Sequence, residues 1–523
     1  METSVPQWSA RDVYGQAHVP LPTAREAAEA DRIARERFGV SERLLMECAG
    51  RAAALVLHRS YPRGLVVGVA GSGNNGGDLL VMLRVLHDWG RDVAGIAAGS
   101  APPDPTLLHG TELPLVDSDR GVTDLLGAAD VIVDGMLGTG ARGAPRGRIA
   151  ALIAQINASG RPVFALDLPS GVDADTGRVA DVGIDAEMTV CFGWPKLGLL
   201  LHPARQRCGR LIAVEIGFPP SSLEGVTARA ITPAWVASHL RARAPNAHKG
   251  SAGRLLVLAG SAGMAGAAAL AAQAAARAGA GLVRIASDSA NRIILQTLVP
   301  EATFIDREQL TDADVAPLHA LVAGPGLGTG TTSRQLLDRV LALMGDRPVL
   351  LDADALNVLA AEAGALAAVA ARRPVVITPH AGELSRLTHQ SVEAIIGDAP
   401  AAARAAAQTF GCVVLLKGQP SLVATPEGAL YVNTTGSSDL ASAGMGDHLA
   451  GVIGALLAGG SAPLEAACLG LFLSGRAADI AALGRSLSPR DASGHLTAAL
   501  AAPGLERSAL ELPFVTFDQP PRW

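Results

Sequence analysis

Aromatic residues are scarce. Phe, Trp and Tyr make up 3% of the 523 residues while hydrophobic residues reach 49%. The apolar content is therefore mostly Ala, Val and Leu, which suits helices packed on buried parallel strands and argues for α/β over a β-sandwich. Excess positive charge is also missing: 43 Lys and Arg against 49 Asp and Glu leave a formal net charge of −6. That balance removes any global electrostatic case for nucleic acid or for an anionic membrane surface as partner. Cysteine is sparse, and Cys48, Cys191, Cys208, Cys412 and Cys468 form neither a CxxC pair nor a metal-ligand spacing, so they read as reduced, mostly buried thiols. The opening METSVPQWSARDVYGQ lacks the basic-then-apolar pattern of a signal peptide, and the Ala-rich stretch 266–283 is interrupted by Gln273 and Arg277. A cytoplasmic, soluble protein is expected.

A chain of 523 residues is too long for one ordinary core, so two or more domains are expected. Residues 1–22 are polar and Pro-punctuated and read as an arm. From Thr23 to about His58, apolar positions recur at helical spacing through AREAAEADRIARERFGV and SERLLMECAGRAAALVL, with Ser41 placed to cap the second helix. Within that helix Glu47 reads as a surface charge and Cys48 as a core thiol. The polar stretches PPSS at 219–222 and RARAPN at 241–246 bracket a boundary. The expected organisation is an arm 1–22, a first domain 23–220, a linker 221–245, a second domain 246–510 and a tail 511–523.

In the first half, the short apolar run GLVVGVA at 64–70 passes directly into GSGNNGGD at 71–78, and a helical pattern follows from Leu79. Strand, Gly-rich turn, helix is the phosphate-cradling plan of an open α/β sheet. Two adjacent Asn, further Gly and an Asp are a denser polar cluster than a turn needs. No acidic residue closes a convincing second strand about twenty residues on, so a standard dinucleotide fingerprint is not supported. The strand DVIVD at 130–134 ends on Asp134, and PVFALD at 162–167 ends on Asp167 and runs on through LPSGVD. Ligands of such sheets bind beyond the carboxyl ends of the strands, so Asn75, Asp134, Asp167 and Ser170 are expected to face one crevice. Residues 184–216 are expected to alternate strands and turns.

The second half repeats the strand–helix alternation, and both halves are expected to be doubly wound α/β units. Its strand ends carry GSAGMAGA at 260–267, GPGLG at 324–328, ADALN at 353–357, PHAGE at 379–383 and KGQPS at 417–421. The stretch NTTGSSDLASAGMGDHLAG at 433–451 then sets several glycines and an acid against a helical pattern. Free amides at a helix N-terminus hold phosphate. Asp447, beside that phosphate, is placed to take a proton from an attacking hydroxyl. Lys417 is the candidate phosphate cation, and His380 and Glu383 are polar groups expected to face the cleft.

These residues carry a resemblance. LLMECAG, GSGNNGGD, DGMLGTG and LDLPSGVDADTG in the first half, and HKG, GSAGMAGAA, AGPGLG, LDADALN, TPHAGEL, LKG and NTTGSSDLASAGMGD in the second, resemble the bifunctional NAD(P)H-hydrate repair enzymes over about residues 20–505. Members join an N-terminal hydrate epimerase to a C-terminal ADP- or ATP-dependent hydrate dehydratase. The resemblance implies a Rossmann-like three-layer sandwich followed by a ribokinase-like domain. It implies that Asn74, Asn75, Gly76, Gly77 and Asp78, the loop Gly138, Thr139, Gly140, Ala141, Arg142, Gly143 and Ala144, and Asp167 contact the hydrated nicotinamide. It further implies that Asn75, Asp134 and Ser170 bind potassium, in keeping with a hard cation's need for oxygen ligands. In the second domain it implies that Ala267, Gly328, His380 and Asp447 line the hydrate site. Lys417, Gly418, Gln419, Pro420, Ser421, Gly444 and Gly446 would then contact the adenine nucleotide, with magnesium.

Four positions depart from the family's pattern: Cys48 for a usual Asn, Leu79 for a common Gly, His448 for an aliphatic residue, and Ser474 for a His. The resemblance implies hydrated NADH or NADPH and ADP or ATP as partners, Asp167 as acid/base of the first domain and Asp447 as base of the second. Stacked Ala-rich helices suit a homo-oligomer. Two rivals stay open on the residues: a vitamin-precursor kinase of the ribokinase type, and a first domain that binds a metabolite without catalysis.

Overall fold

The computed structural model describes residues 18–99, 104–117, 120–502 and 508–521. It divides into two compact units, Met1–Arg229 with Glu506–Trp523, and Ala230–Leu505. Each is an α/β layer structure with a largely parallel sheet. Residues 1–17 of the expected arm lie outside the described residues; Leu21 N donates to Ala228 O (2.9 Å), which pins the end of that segment.

The sheet of the first unit runs Val515–Gln519, Arg210–Val214, Met188–Phe192, Val163–Leu166, Val131–Gly135, Val66–Ala70, Val93–Ala97, Leu115–Val116. All neighbours are parallel except the first pair. Val66–Ala70 is flanked on one side by Val93–Ala97 and on the other by Val131–Gly135. The chain winds outward in both directions from there, and a crevice opens at such a reversal. The central strands are buried along their whole length, which is why they read as continuous apolar runs instead of alternating ones.

Capping decides where the flanking helices begin. Thr23 caps Ala24–Phe38 in a capping box with Glu26, and Ser41 caps Glu42–Ser60. The helix expected from Leu79 begins earlier, at Asn74, with Gly73 as its cap. The polar cluster 74–78 thus opens the helix and is not a loop before it. Glycine permits this through close packing: a Cβ on Gly76 would lie 2.0 Å from Gly71 O, and one on Gly71 would lie 1.9 Å from Met136 O. Glu47, read as a surface charge, is instead bound twice by the buried Arg84 (3.0 and 2.6 Å). The stretch 184–216 also contains two one-turn helices, Leu197–Leu200 and Ala204–Arg207.

The structure differs from the expected boundaries as well. The segment set apart as tail supplies the edge strand Val515–Gln519, antiparallel to Arg210–Val214. Arg210 and Asp518 lock it with bonds of 2.8 and 2.6 Å. The expected linker holds the strand Ala228–Ile231 and the helix Pro233–His239. Both are too short for periodicity to announce them.

In the second unit the sheet runs from Leu430–Asn433 through Leu422–Ala424, Val413–Leu416, Val375–Ile377, Val349–Leu351, Ala320–Ala323, Arg254–Leu258 and Leu282–Ser287 to Thr303–Asp306. The winding reverses between Arg254–Leu258 and Ala320–Ala323. Helix Met445–Ala458 packs across this sheet and against helix Ala265–Arg277. The approach is close enough that a Cβ on Gly451 would meet Ala271 O at 2.1 Å, and one on Gly454 would meet Val322 Cγ2 at 2.3 Å. Small residues on both helices let their backbones come together and carry the N-terminus of Met445–Ala458 to the carboxyl end of the sheet. Among the described residues no helix is long and apolar enough to cross a membrane.

Candidate active sites

In the first unit, three strand ends and one helix start converge. Asp134, wholly buried at the end of its strand, accepts hydrogen bonds from Met136 N (3.1 Å), Ser170 N (2.8 Å) and Ser170 Oγ (2.7 Å). Burial pushes its carboxyl up to about 6, although those bonds work in the opposite direction. Ser170 Oγ accepts from Leu137 N (3.0 Å). Asn75 Nδ2 donates to Leu137 O (2.9 Å) and Leu166 O (3.1 Å), and its Oδ1 is buried with no partner among the described residues. A buried amide oxygen left bare costs about 1–3 kcal/mol unless something binds it. Among the described residues no group of three or more His, Cys, Asp or Glu is poised for a metal. A cation here would be held by amide, hydroxyl and a single carboxylate, oxygens that suit a hard ion.

Asp167 follows strand Val163–Leu166 with a φ of 63°, a left-handed conformation that costs a non-glycine residue about 1–3 kcal/mol. The sequence placed Asp167 but gave no sign of its partner. Lys196, 4% exposed, donates from Nζ to Asp167 Oδ1 and to Phe192 O (3.3 Å), and Phe192 N also donates to Asp167 Oδ1 (3.3 Å). Asp78 lies in the second turn of helix Asn74–Asp88. Burial, and then the nearby Asp167 carboxylate, raise it well above the ordinary carboxyl range. The loop after strand Val131–Gly135 is anchored at its start, where a Cβ on Gly138 would lie 3.3 Å from Asn75 Cβ. Its far end, 141–144, is exposed, and Arg142 donates to Thr139 O (3.2 Å) and Ala141 O (3.3 Å) within the loop.

In the second unit the helix start expected at 443–447 is observed: Gly444, at φ 86°, precedes helix Met445–Ala458, and Asp447 sits in its first turn. A Cβ on Gly444 would lie 3.9 Å from Asp447 Oδ2, and one on Gly446 would lie 3.6 Å from Lys417 Nζ and 3.8 Å from Asp352 Oδ2. Lys417 Nζ binds Asp352 Oδ1 (2.8 Å) and faces Glu383 Oε2 (3.7 Å). Burial opposes the ammonium, but Asp352, Glu383 and Asp447 outweigh it and hold Lys417 above its ordinary range. Asp447 is pushed up to about 7, first by burial, then by Asp352 and Asp354, with Lys417 acting against them.

Other predicted residues lie on neighbouring strand ends and helix starts of this unit. Lys417 pairs in a parallel bridge with His380. His380 caps its helix, accepting through Nδ1 from Gly382 N (3.0 Å) and Glu383 N (3.3 Å), and remains 54% exposed at the side chain. Gly328, at φ 90°, donates its N–H to Asp354 Oδ2 (2.8 Å). Ala267 packs so closely that a Cβ on Gly326 would meet its Cβ at 3.2 Å. Gly418 N and Ser421 Oγ (3.2 Å) close the turn that carries Gln419 and Pro420. Sequence reasoning missed Asp352, 1% exposed; its place at a strand end in LDADALN was the available signal.

Ionisable groups buried at the carboxyl ends of the strands of two separate sheets, where packing alone would select apolar side chains, define the class: an α/β enzyme with two reaction sites. Comparison supports and narrows this. A family profile described as NAD(P)H-hydrate dehydratase matches residues 255–498, and one described as YjeF-related protein N-terminus matches 42–198. The bifunctional NAD(P)H-hydrate repair enzyme Nnr of Moorella thermoacetica is 36% identical over 494 residues, 88% of this chain and 92% of that protein. Its Escherichia coli counterpart is 36% identical over 478 residues, 88% and 89% of the two chains. The chain belongs to the bifunctional NAD(P)H-hydrate repair enzymes. Among solved structures, the ADP/ATP-dependent NAD(P)H-hydrate dehydratase of Bacillus subtilis, co-crystallised with ATP and Mg2+, is 29% identical with a TM-score of 0.46, over 52% of this chain and 98% of that one.

Proposed function

We propose that this chain restores hydrated NADH and NADPH in two stages, with the first unit exchanging the two C6 epimers and the second removing the hydroxyl by phosphorylation and elimination. Membership of the bifunctional repair family makes the chain an epimerase and a dehydratase; the roles of individual residues are our reading. Hydroxide is a poor leaving group, and a phosphate ester is a good one. Asp447 takes the proton of the C6 hydroxyl as that oxygen attacks the terminal phosphate of ADP or ATP. The amides of 444–446 and Lys417 hold the phosphates. Phosphate then departs, the ring nitrogen supplying the electron pair to form a C6=N bond, and loss of a proton from C5 to solvent gives the C5=C6 bond of the dihydropyridine. The observation that carries this reading is Asp447 in the first turn of its helix, with Lys417 and Asp352 beside Gly446.

Three carboxylates, Asp352, Glu383 and Asp447, act on one lysine, an acidic surplus that suits a magnesium ion carried in on nucleotide phosphates. Such an ion would neutralise charge building on the transferred group. Potassium in the first unit would be held by Asn75 Oδ1, Ser170 and Asp134, and the bare buried Oδ1 supports that placement. The test is Asp447→Asn supplied with the (S)-hydrate and labelled nucleotide. We expect retained nucleotide binding and a rate lower by about two to four orders of magnitude. Dehydration at a near-normal rate, or accumulation of a stable phosphorylated product by the parent protein, contradicts the assignment.

A further inference from the structure

We propose that Lys196 is a positioning residue of the epimerase site, fixing the Asp167 carboxylate by one oxygen, and that Asp78 is the partner acid. The proposal rests on reading the first unit as an epimerase. The geometry is specific. Lys196, 4% exposed, places its ammonium on Asp167 Oδ1 and on Phe192 O (3.3 Å), and Phe192 N closes on the same Oδ1 (3.3 Å). Two donors therefore converge on one oxygen of a residue whose backbone is held at φ 63°. Asp167 Oδ2 makes no hydrogen bond to any described residue and is the oxygen left for a proton. A buried lysine is costly unless paired. Ordinary packing at the end of a strand would select an apolar side chain, so the ammonium is retained for what it does to Asp167.

The charged groups acting on Asp78 are the carboxylates of Asp167, Glu42 and Asp31 and the ammonium of Lys196, on top of its own burial. Three anions against one cation favour the protonated form of Asp78. Epimerisation then balances without a redox partner. Asp78 gives its proton to the C6 hydroxyl as the C6–O bond breaks and the ring-nitrogen pair forms the C6=N double bond, releasing water. A water on the other face adds to C6, its proton passes to Asp167 Oδ2, and the electron pair returns to the nitrogen. Proton exchange with solvent resets both acids.

The experiment uses the full chain and follows conversion of pure (R)-hydrate to (S)-hydrate above the uncatalysed rate. Nucleotide-driven dehydration of (S)-hydrate by the second unit serves as an internal control. Lys196→Ala is expected to lower the epimerisation kcat about 10- to 100-fold with KM little changed, and added ethylammonium is expected to restore activity in proportion to its concentration. Asp78→Asn is expected to abolish the fall in rate on the alkaline side of the pH profile, because that fall reports loss of the acid's proton. If Lys196→Ala does not fold, the Asp78→Asn profile decides. A Lys196→Ala protein at parental rate, or an Asp78→Asn profile that keeps its alkaline fall, overturns the proposal while leaving the epimerase reading intact. No acceleration by the parent protein overturns the epimerase reading itself, and the proposal with it.

Discussion

Asp447 and His448 are neighbours with opposite acid–base behaviour. Asp447 is raised to about 7, so in the folded protein it holds a proton that an unfolded aspartate would lose near pH 4. Between those values the native state binds more protons, and stability falls as pH rises, the full cost being reached above about pH 7. Asp447→Asn should therefore raise the melting temperature at pH 8, with the gain vanishing below about pH 4. A scan of melting temperature against pH checks this. The same shift predicts that the dehydratase rate climbs through pH 7 as the base ionises. His448 is fully buried and pushed down to about 4 by burial; its Nδ1 pairs with Ser493 Oγ (2.9 Å), and its Nε2 lacks a partner among the described residues. Here the unfolded state binds the extra proton, so stability is lost as pH falls from about 6.5 through 4. A shift of this size is worth about 3 kcal/mol. His448→Leu should remove most of that acid-side loss, read from amide exchange of helix Met445–Ala458. An unchanged acid dependence would mean that His448 is not buried as described. Ser474, the other departure on a packed helix, is also buried, its hydroxyl without a partner among the described residues; nothing in the structure explains it.

At the scale of elements, glycines set how closely backbones approach, and not all of them matter equally. Gly451 has no room for a methyl group, since its Cβ would stand 2.1 Å from Ala271 O, whereas Gly266 faces open space within 4 Å. Gly451→Ala should cost at least about 1–3 kcal/mol by forcing two helices apart and should lower dehydratase activity by moving Asp447. Gly266→Ala should be neutral or stabilising by about 0.4–1 kcal/mol. Thermal unfolding of the two variants side by side checks the contrast. Much of this layer was legible in the sequence. The apolar runs gave the parallel strands, Thr23 and Ser41 marked helix starts, and the glycines before Asp447 marked the N-terminus that carries it. What escaped depends on contacts between residues distant in sequence. Lys196 meets Asp167 only because two adjacent parallel strands deliver both to one end of the sheet, and no local pattern records that. The start of the helix at Asn74 was hidden because its glycines, poor helix formers in isolation, are selected there for close packing.

At the scale of the whole molecule, the two sites belong to separate units, and the first is completed from the far end of the chain. The strand Val515–Gln519 joins the sheet of the first unit beside Arg210–Val214, with Asp518 bound to Arg210. Composition could not reveal this, because a five-residue edge strand after a polar stretch reads as a tail. Removing residues 506–523 should destabilise the epimerase unit and leave the dehydratase rate within about twofold, measured as separate activities after mild heating; equal loss of both would contradict the division. The central claim, that one chain holds an epimerase feeding a dehydratase, is tested most directly with pure (R)-hydrate of NADH. In the presence of ADP or ATP, dihydropyridine absorbance should recover completely and faster than the epimers interconvert unaided. Without nucleotide, the same sample should reach a mixture of the two epimers with no recovery of absorbance. Recovery limited to the uncatalysed rate of interconversion would contradict the account.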